Sequence, residues 1–246
     1  MKAQHTASPL AEPLPGTVGQ LVAERPSRAR VFEKFGIDYC CGGRKPLEQA
    51  CRDRAVDVRA VLDALRQSDE SRAPERDWAA MGLTRLADHI EKAHHGYLRQ
   101  ELPRLDFLAH KVAAAHGQRH PELIRLRDVF TAFEAELVNH MRKEELVVFP
   151  LCRRIEAGEG DGSASDVGLR RPVDVLTHEH EDAGEALAEM RRLTGGFEPP
   201  ADACNTYRAL LDSLKELEAD MHQHVHLENN VLFPAALKAY AARRAG

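Results

Sequence analysis

The sequence predicts an all-α protein in two parts, a small helical domain followed by an antiparallel four-helix bundle, and three observations carry that prediction. Apolar residues recur at helical spacing along most of the chain, and strand-like alternation is absent. A charged stretch with a central proline, "DESRAPERD" at 69–77, divides the periodic regions and has the chemistry of a linker. An eleven-residue pattern also recurs: "HMRKEELVVFP" at 140–150 and "HVHLENNVLFP" at 224–234 share His, Glu, Val and Phe-Pro at the same places, 84 residues apart.

The elements follow in order. Residues 1–14, "MKAQHTASPLAEPL", are polar and lack an apolar signal core, so they read as a frayed tail. The small domain spans 15–68. In it Thr17 caps "VGQLVAE", Pro26-Ser27 starts "RARVFEKFG" with Gly36 as the stop, Pro46 opens "LEQACRDR", and Asp57 caps "VRAVLDALRQS". The bundle spans 78–246. Its first helix runs from about 82 to 115 through Pro103, which should bend it rather than end it. A second stripe passes from Leu123 through Phe130, Phe133 and Met141 to Val148. The third helix covers about 172–194 before Gly195-Gly196, after a Gly/Ser/Asp loop at 157–168, and the fourth starts near Pro200 and carries Tyr207, Leu210, Leu214 and Met221. Long helices with short connections favour antiparallel bundling. Phe149-Pro150 and Phe233-Pro234 then read as core plugs near helix ends.

Composition narrows the function. A formal net charge of −5 without a long Lys/Arg run argues against a nucleic-acid or acidic-membrane partner. No run of about 18 apolar residues exists, so no membrane span is expected. Five cysteines at irregular spacing, Cys40, Cys41, Cys51, Cys152 and Cys204, suit a reducing compartment, and the expected location is the cytoplasm. Histidines number 13, an excess that needs an address.

A helical i, i+4 step puts His140 and Glu144 on one face, and His224 and Glu228 likewise. His95 lies 45 residues before His140, and His180 lies 44 before His224, so the chain reads as a duplicated helical hairpin, each half supplying a lone His and a His-x-x-x-Glu pair. One such pair alone is ordinarily a solvated surface pair; recurrence in register points to a metal site. Six ligands exceed a four-coordinate zinc site, and no thiolate occupies a matching position. Imidazole mixed with carboxylate suits iron or manganese, with two carboxylates bridging two metals and two histidines on each. A solvent-derived oxo or hydroxo bridge would leave one position open per metal. The Glu-x-x-His arrangement of ferritin-like sites occurs once, at Glu91–His94, and is poorly supported.

"HMRKEE", "HEHEDAGEAL" and "HVHLENNVLFP" resemble the hemerythrin-like domain of the repair-of-iron-centres family, the iron-sulfur cluster repair di-iron proteins. "TVGQLVAERPSRARVFEKFGIDYCCGG" resembles the small Cys-Cys-Gly-Gly domain that precedes the bundle in that family. The resemblance implies a hemerythrin-like bundle holding two non-haem iron ions, oxo- or hydroxo-bridged, with His95, His140, Glu144, His180, His224 and Glu228 as ligands and both glutamates bridging. It also implies repair of clusters damaged by nitrosative or oxidative stress through iron supply, with damaged or apo iron-sulfur proteins as partners. The same site would serve a nitric oxide reductase, or a nitric oxide or oxygen carrier or sensor, and these stay open, as does a homodimer. His94, adjacent to His95, competes with it as ligand.

Other residues take lesser roles. His178, His222 and His226 are expected on helix faces turned from the metals, as surface groups or supports. Glu179 and Asp182 either line an iron path or belong to a solvated face. Cys152 and Cys204 read as buried small hydrophobes. In "DYCCGGRKP", two glycines give flexible access and Arg44 and Lys45 should favour thiolates, so Cys40 and Cys41 are either a reactive, metal-relaying pair or structural, with Cys51 near enough to join them.

Overall fold

The computed structural model describes residues 16–69, 77–78, 80–159 and 168–245. The expected tail, residues 70–76 of the linker and residues 160–167 of the Gly/Ser/Asp loop lie outside them. The described residues are helical, without a named strand, and no described helix is long and apolar enough to cross a membrane.

The small domain contains α1 (Val18–Glu24), α2 (Arg28–Lys34), α3 (Leu47–Asp53) and α4 (Val58–Asp69). Thr17 closes a capping box on α1: its hydroxyl accepts from the Gln20 N–H, and the Gln20 side chain accepts from the Thr17 N–H. Gly36, at φ +64°, takes the left-handed turn after α2. Val18, Leu21, Phe32, Leu47, Val61 and Leu65 form the domain's own core. Asp69 belongs to α4 rather than to the linker, and its carboxylate receives two hydrogen bonds from the buried Arg28 guanidinium at 2.9 and 2.6 Å.

Four rods build the bundle. The first joins α5 (Leu83–Ile90), a π turn at Glu91–His95 and α6 (Gly96–His116). The second joins α7 (Glu122–Lys143), a π turn at Glu144–Val148 and α8 (Phe149–Ala157). The third is α9 (Arg170–Leu193). The fourth joins α10 (Asn205–His226), a π turn at Leu227–Leu232 and α11 (Phe233–Ala245). Rod one packs on rods two and four, and rod two on rod three.

The Phe-Pro sequences do not finish helices, as the sequence suggested; α8 and α11 continue beyond them. A proline has no N–H for the carbonyl four residues earlier, so Pro150 and Pro234 each leave one carbonyl without its α-helical donor. In both rods a π turn lies immediately upstream, where the wider i, i+5 winding absorbs that defect. The turn at Glu91–His95 has no such proline. Phe149 and Phe233 are fully packed, each worth about 1.5–3 kcal/mol of burial.

Two apolar clusters fill the bundle, one around Leu102, Phe130, Leu214 and Met221, the other around Ile90, Phe149, Leu176, Leu232 and Phe233. Six of the buried polar residues of the rods, His95, His140, Glu144, His180, His224 and Glu228, come from segments that lie between them.

Candidate metal centre

Three of the four rods bring a candidate ligand to the centre at a π turn. Glu144 and Glu228 lie at or next to the start of theirs, and His95 ends its own. The regular α9 supplies only His180. His140 and His224 sit one turn before the glutamates, as the i, i+4 spacing requires.

The six side chains form two groups that share both glutamates: His95, His224, Glu144 and Glu228 in one, and His140, His180, Glu144 and Glu228 in the other. Ligand atoms within each group lie no more than 4.8 Å apart. Glu144 turns one oxygen to each group, 3.2 Å from His95 Nε2 and 3.1 Å from His140 Nε2. Glu228 does the same, 3.2 Å from His224 Nε2 and 3.1 Å from His180 Nε2. The imidazole nitrogens also face each other, His95 to His224 at 3.3 Å and His140 to His180 at 2.9 Å. Each group therefore pairs the lone histidine of one half of the chain with the paired histidine of the other.

Such a packing of acceptors fits cations. Both Glu144 oxygens and Glu228 Oε2 are buried without a well-formed hydrogen bond, an expensive arrangement unless positive charge lies between them. Burial opposes protonation of His140, but Glu144, Glu228 and Glu179 outweigh it and hold the imidazole up to about 9. His95 is also raised, against its own burial, by Glu144, then Glu228 and Glu145. Burial and Glu228 push Glu144 up, yet the facing imidazoles hold it below the usual carboxylate range. His224 goes the other way, driven down chiefly by burial.

A ring of supports aims the imidazoles, and sequence reading assigned none of these roles. His95 Nδ1 lies 2.7 Å from Glu145 Oε1, His180 Nδ1 3.0 Å from Asn229 Oδ1, and His140 Nδ1 2.9 Å from Glu179 Oε2. Arg99 pairs with Glu145, and Lys143 with Glu179. With Nδ1 donating, each Nε2 lone pair turns to the centre. Glu145 and Asn229 each follow a shared glutamate, so the duplication itself held the signal. His224 Nδ1 has no hydrogen-bond partner among the described residues. Phe149 stacks on His95 at 5.5 Å and Phe233 on His180 at 6.2 Å, which gives the repeated Phe-Pro its use: the phenyl rings wall the lone histidines.

His94 stays outside both groups; it bonds Asp220 at 2.8 Å and stacks on His224. Glu91 pairs with Arg153, so the Glu91–His94 pattern converges on nothing. His178 is exposed as expected, whereas His226 is buried edge-on against Tyr39, because the small domain covers the face that the sequence left to solvent. Glu179 and Asp182 line a cavity of about 310 Å³ that reaches His140 and His180.

The thiols depart furthest from expectation. Lys45 is taken by Asp53, and the group beside Cys40 is Asp38, which accepts from both its N–H and its Sγ. The neighbouring Cys41 thiol, burial and Asp38 all push Cys40 up, opposite to the thiolate that Arg44 and Lys45 suggested. Cys41 Sγ donates to the His180 carbonyl at 3.3 Å, so the pair is seated on the bundle. Cys51 is buried in the small domain's core rather than beside them. Cys152 is buried as expected, but Cys204 is exposed at the cap of α10.

Comparison with known proteins gives two family matches. Residues 86–236 match the hemerythrin HHE cation binding domain, and residues 15–69 match a domain of unknown function, DUF542. The chain is 36% identical over 225 residues to the iron-sulfur cluster repair protein YtfE of Musicola paradisiaca, covering 92% of this chain and 97% of that one. It is 37% identical to YtfE of an Enterobacter species, covering 89% and 96%, and 32% identical to the iron-sulfur cluster repair protein ScdA of Staphylococcus haemolyticus, covering 88% and 95%.

Proposed function

Because this chain belongs to the iron-sulfur cluster repair family, with a hemerythrin HHE cation binding domain as its larger part, we propose that it holds two non-haem iron ions and supplies iron to damaged or apo iron-sulfur proteins. The observation that carries this reading is the pair of shared carboxylates, each offering one oxygen to each pair of imidazoles. His95 and His224 would hold one iron, His140 and His180 the other, and Glu144 and Glu228 would bridge them. Bound iron supplies a redox-active ion that leaves when its ligands are protonated or competed away.

The protein's own groups set the terms of exchange. Glu145, Glu179 and Asn229 keep the imidazoles aimed inward. The cavity beside His140 and His180, with Glu136, Glu179 and Asp182 at its wall, gives a cation a carboxylate-lined way out. Cys40 and Cys41 lie against that same side and would take iron as soft ligands during hand-over. Binding of nitric oxide or oxygen is a second reading, favoured by the same cavity, which admits a diatomic molecule to the His140 and His180 side.

Metal content tests the site. Iron-replete protein should carry two irons per chain with an oxo-bridge absorption band in the near ultraviolet; one zinc, or no metal, ends the assignment. Incubation with an apo iron-sulfur protein should then regenerate its cluster when sulfide is supplied, and protein that keeps its iron under those conditions would leave gas binding as the better reading.

A further inference from the structure

The duplication that builds the centre breaks two residues after each shared glutamate: the first half has Leu146, the second Asn230. Leu146 is 71% exposed, a large apolar side chain left in solvent. Asn230 sits under the small domain instead. Its Nδ2 donates to the backbone carbonyls of Tyr39 and Cys40 at 3.2 and 3.1 Å, two successive peptides of the thiol loop. Its Oδ1 fills the space that a Cβ on Gly19 or Gly43 would need, so both glycines are required by the closeness of this side chain. The Gly19 N–H in turn donates to the Gly43 carbonyl at 2.8 Å, which locks α1 to the same loop.

We propose that Asn230 is the positioning residue that seats the Cys40–Cys41 loop on the His180 side of the centre. Its Nδ2 also lies 3.3 Å from His226 Nδ1 on its own rod, but its two bonds to the loop hold main-chain atoms only, so the loop is fixed while both thiol side chains remain directed at the bundle. Cys41 then reaches the His180 carbonyl, and Tyr39 lies edge-on to His226 with ring centroids 5.5 Å apart. Glu228, Asn229 and Asn230 are consecutive in one π turn: a shared carboxylate, the partner of His180 Nδ1, and the latch. Asn230 thus shares a turn with two groups of the centre while belonging to neither group of candidate ligands. Leu146 has neither a donor for a peptide carbonyl nor a domain to hold, and the His95 side has no thiols seated on it by this route. That the seated thiols receive iron rests on the iron-supply reading above; the latch itself does not.

The test uses the full-length, iron-loaded protein and N-ethylmaleimide, with peptide mass spectrometry reading Cys40 and Cys41 separately and the exposed Cys204 as internal reference. Asn230→Ala removes both bonds and leaves space; Asn230→Leu installs the residue of the first half and adds a clash with Gly19 and Gly43. Labelling of Cys41 should rise about tenfold or more in both, the size expected for two lost hydrogen bonds to backbone, with iron content unchanged. An unchanged Cys41 rate in both variants overturns the proposal. So does iron loss in parallel with labelling, since Asn230 would then support Glu228 rather than the loop. If labelling rises as expected but iron transfer to an apo target proceeds at the parental rate, the latch stands and the thiol hand-over fails.

Discussion

The two halves of the bundle supply matching candidate ligands and surround them differently. In each, a lone histidine is walled by the phenylalanine of its own half and braced at Nδ1 by the residue after the shared glutamate. The residue before the lone histidine differs: Glu179 braces His140, while His94 stacks on His224 and turns its own nitrogen to Asp220. His140 is held up to about 9 against its burial, chiefly by Glu144, then by Glu228 and Glu179, while His224 is driven down by burial. The ligands admit little change because each must reach a shared point, but their neighbours have separated into an enclosed side, at His95 and His224, and a side with a cavity and seated thiols, at His140 and His180.

The largest effect should come from abolishing what the halves share. Glu144→Ala or Glu228→Ala removes a ligand from both groups at once, so each variant should retain less than half the parental iron by elemental analysis. Thermal unfolding in excess iron should lose the stabilisation that ligand binding confers, about 2.7 kcal/mol at a hundredfold excess over Kd. Iron retention equal to the parent in either variant would show that the carboxylate does not bridge.

A smaller effect should separate the sides. Removing a partner of a ligating imidazole typically costs about 10–100-fold in metal affinity. Glu179→Ala should therefore speed chelator removal of one iron, that at His140 and His180, and leave the second phase of release as in the parent. Asp220→Asn, which touches His94 and no ligand, should leave both phases unchanged. Equal acceleration of both phases by Glu179→Ala would remove the distinction between the sides.

The six candidate ligands were legible because duplication encoded them twice: register to Phe-Pro and to an upstream histidine singled out the side chains that converge in the structure. The supports were legible in principle, since Glu145 and Asn229 hold equivalent places, but Glu and Asn differ enough in chemistry to hide the match. The thiol environment was not. Arg44 and Lys45 are near Cys40 in sequence, yet the groups that set its state are the Cys41 thiol, burial and Asp38, and Cys41 itself is seated on His180, 139 residues away. His226 faces away from both groups as helical periodicity requires, but its burial was not legible, because periodicity knows nothing of a second domain on the helix's outer face. The Phe-Pro pairs looked like helix ends because proline costs a hydrogen bond, and only the π turns show how the rods continue.

The smallest expected effect contrasts two thiols in unlike surroundings and touches no candidate ligand. Cys204 is the N-cap residue of α10, its sulfur 3.2 Å from His116 Nε2, and the nearby Tyr207 N–H, then His116, lower it to about 7. Cys40 is held up as a neutral thiol by Cys41, burial and Asp38. Only the thiolate reacts, so raising the pH should switch on alkylation of Cys204 with a midpoint near 7, while Cys40 stays silent across that range. His116→Phe keeps an aromatic ring against Tyr207 but removes the nitrogen, and it should move the Cys204 midpoint upward without changing iron content. A midpoint in the ordinary thiol range for the parent would show that the helix cap and His116 do not activate this sulfur. Reaction of Cys40 near pH 7 in the seated protein would show that its loop opens on the alkylation timescale, and the contrast between the two thiols would then be one of exposure alone.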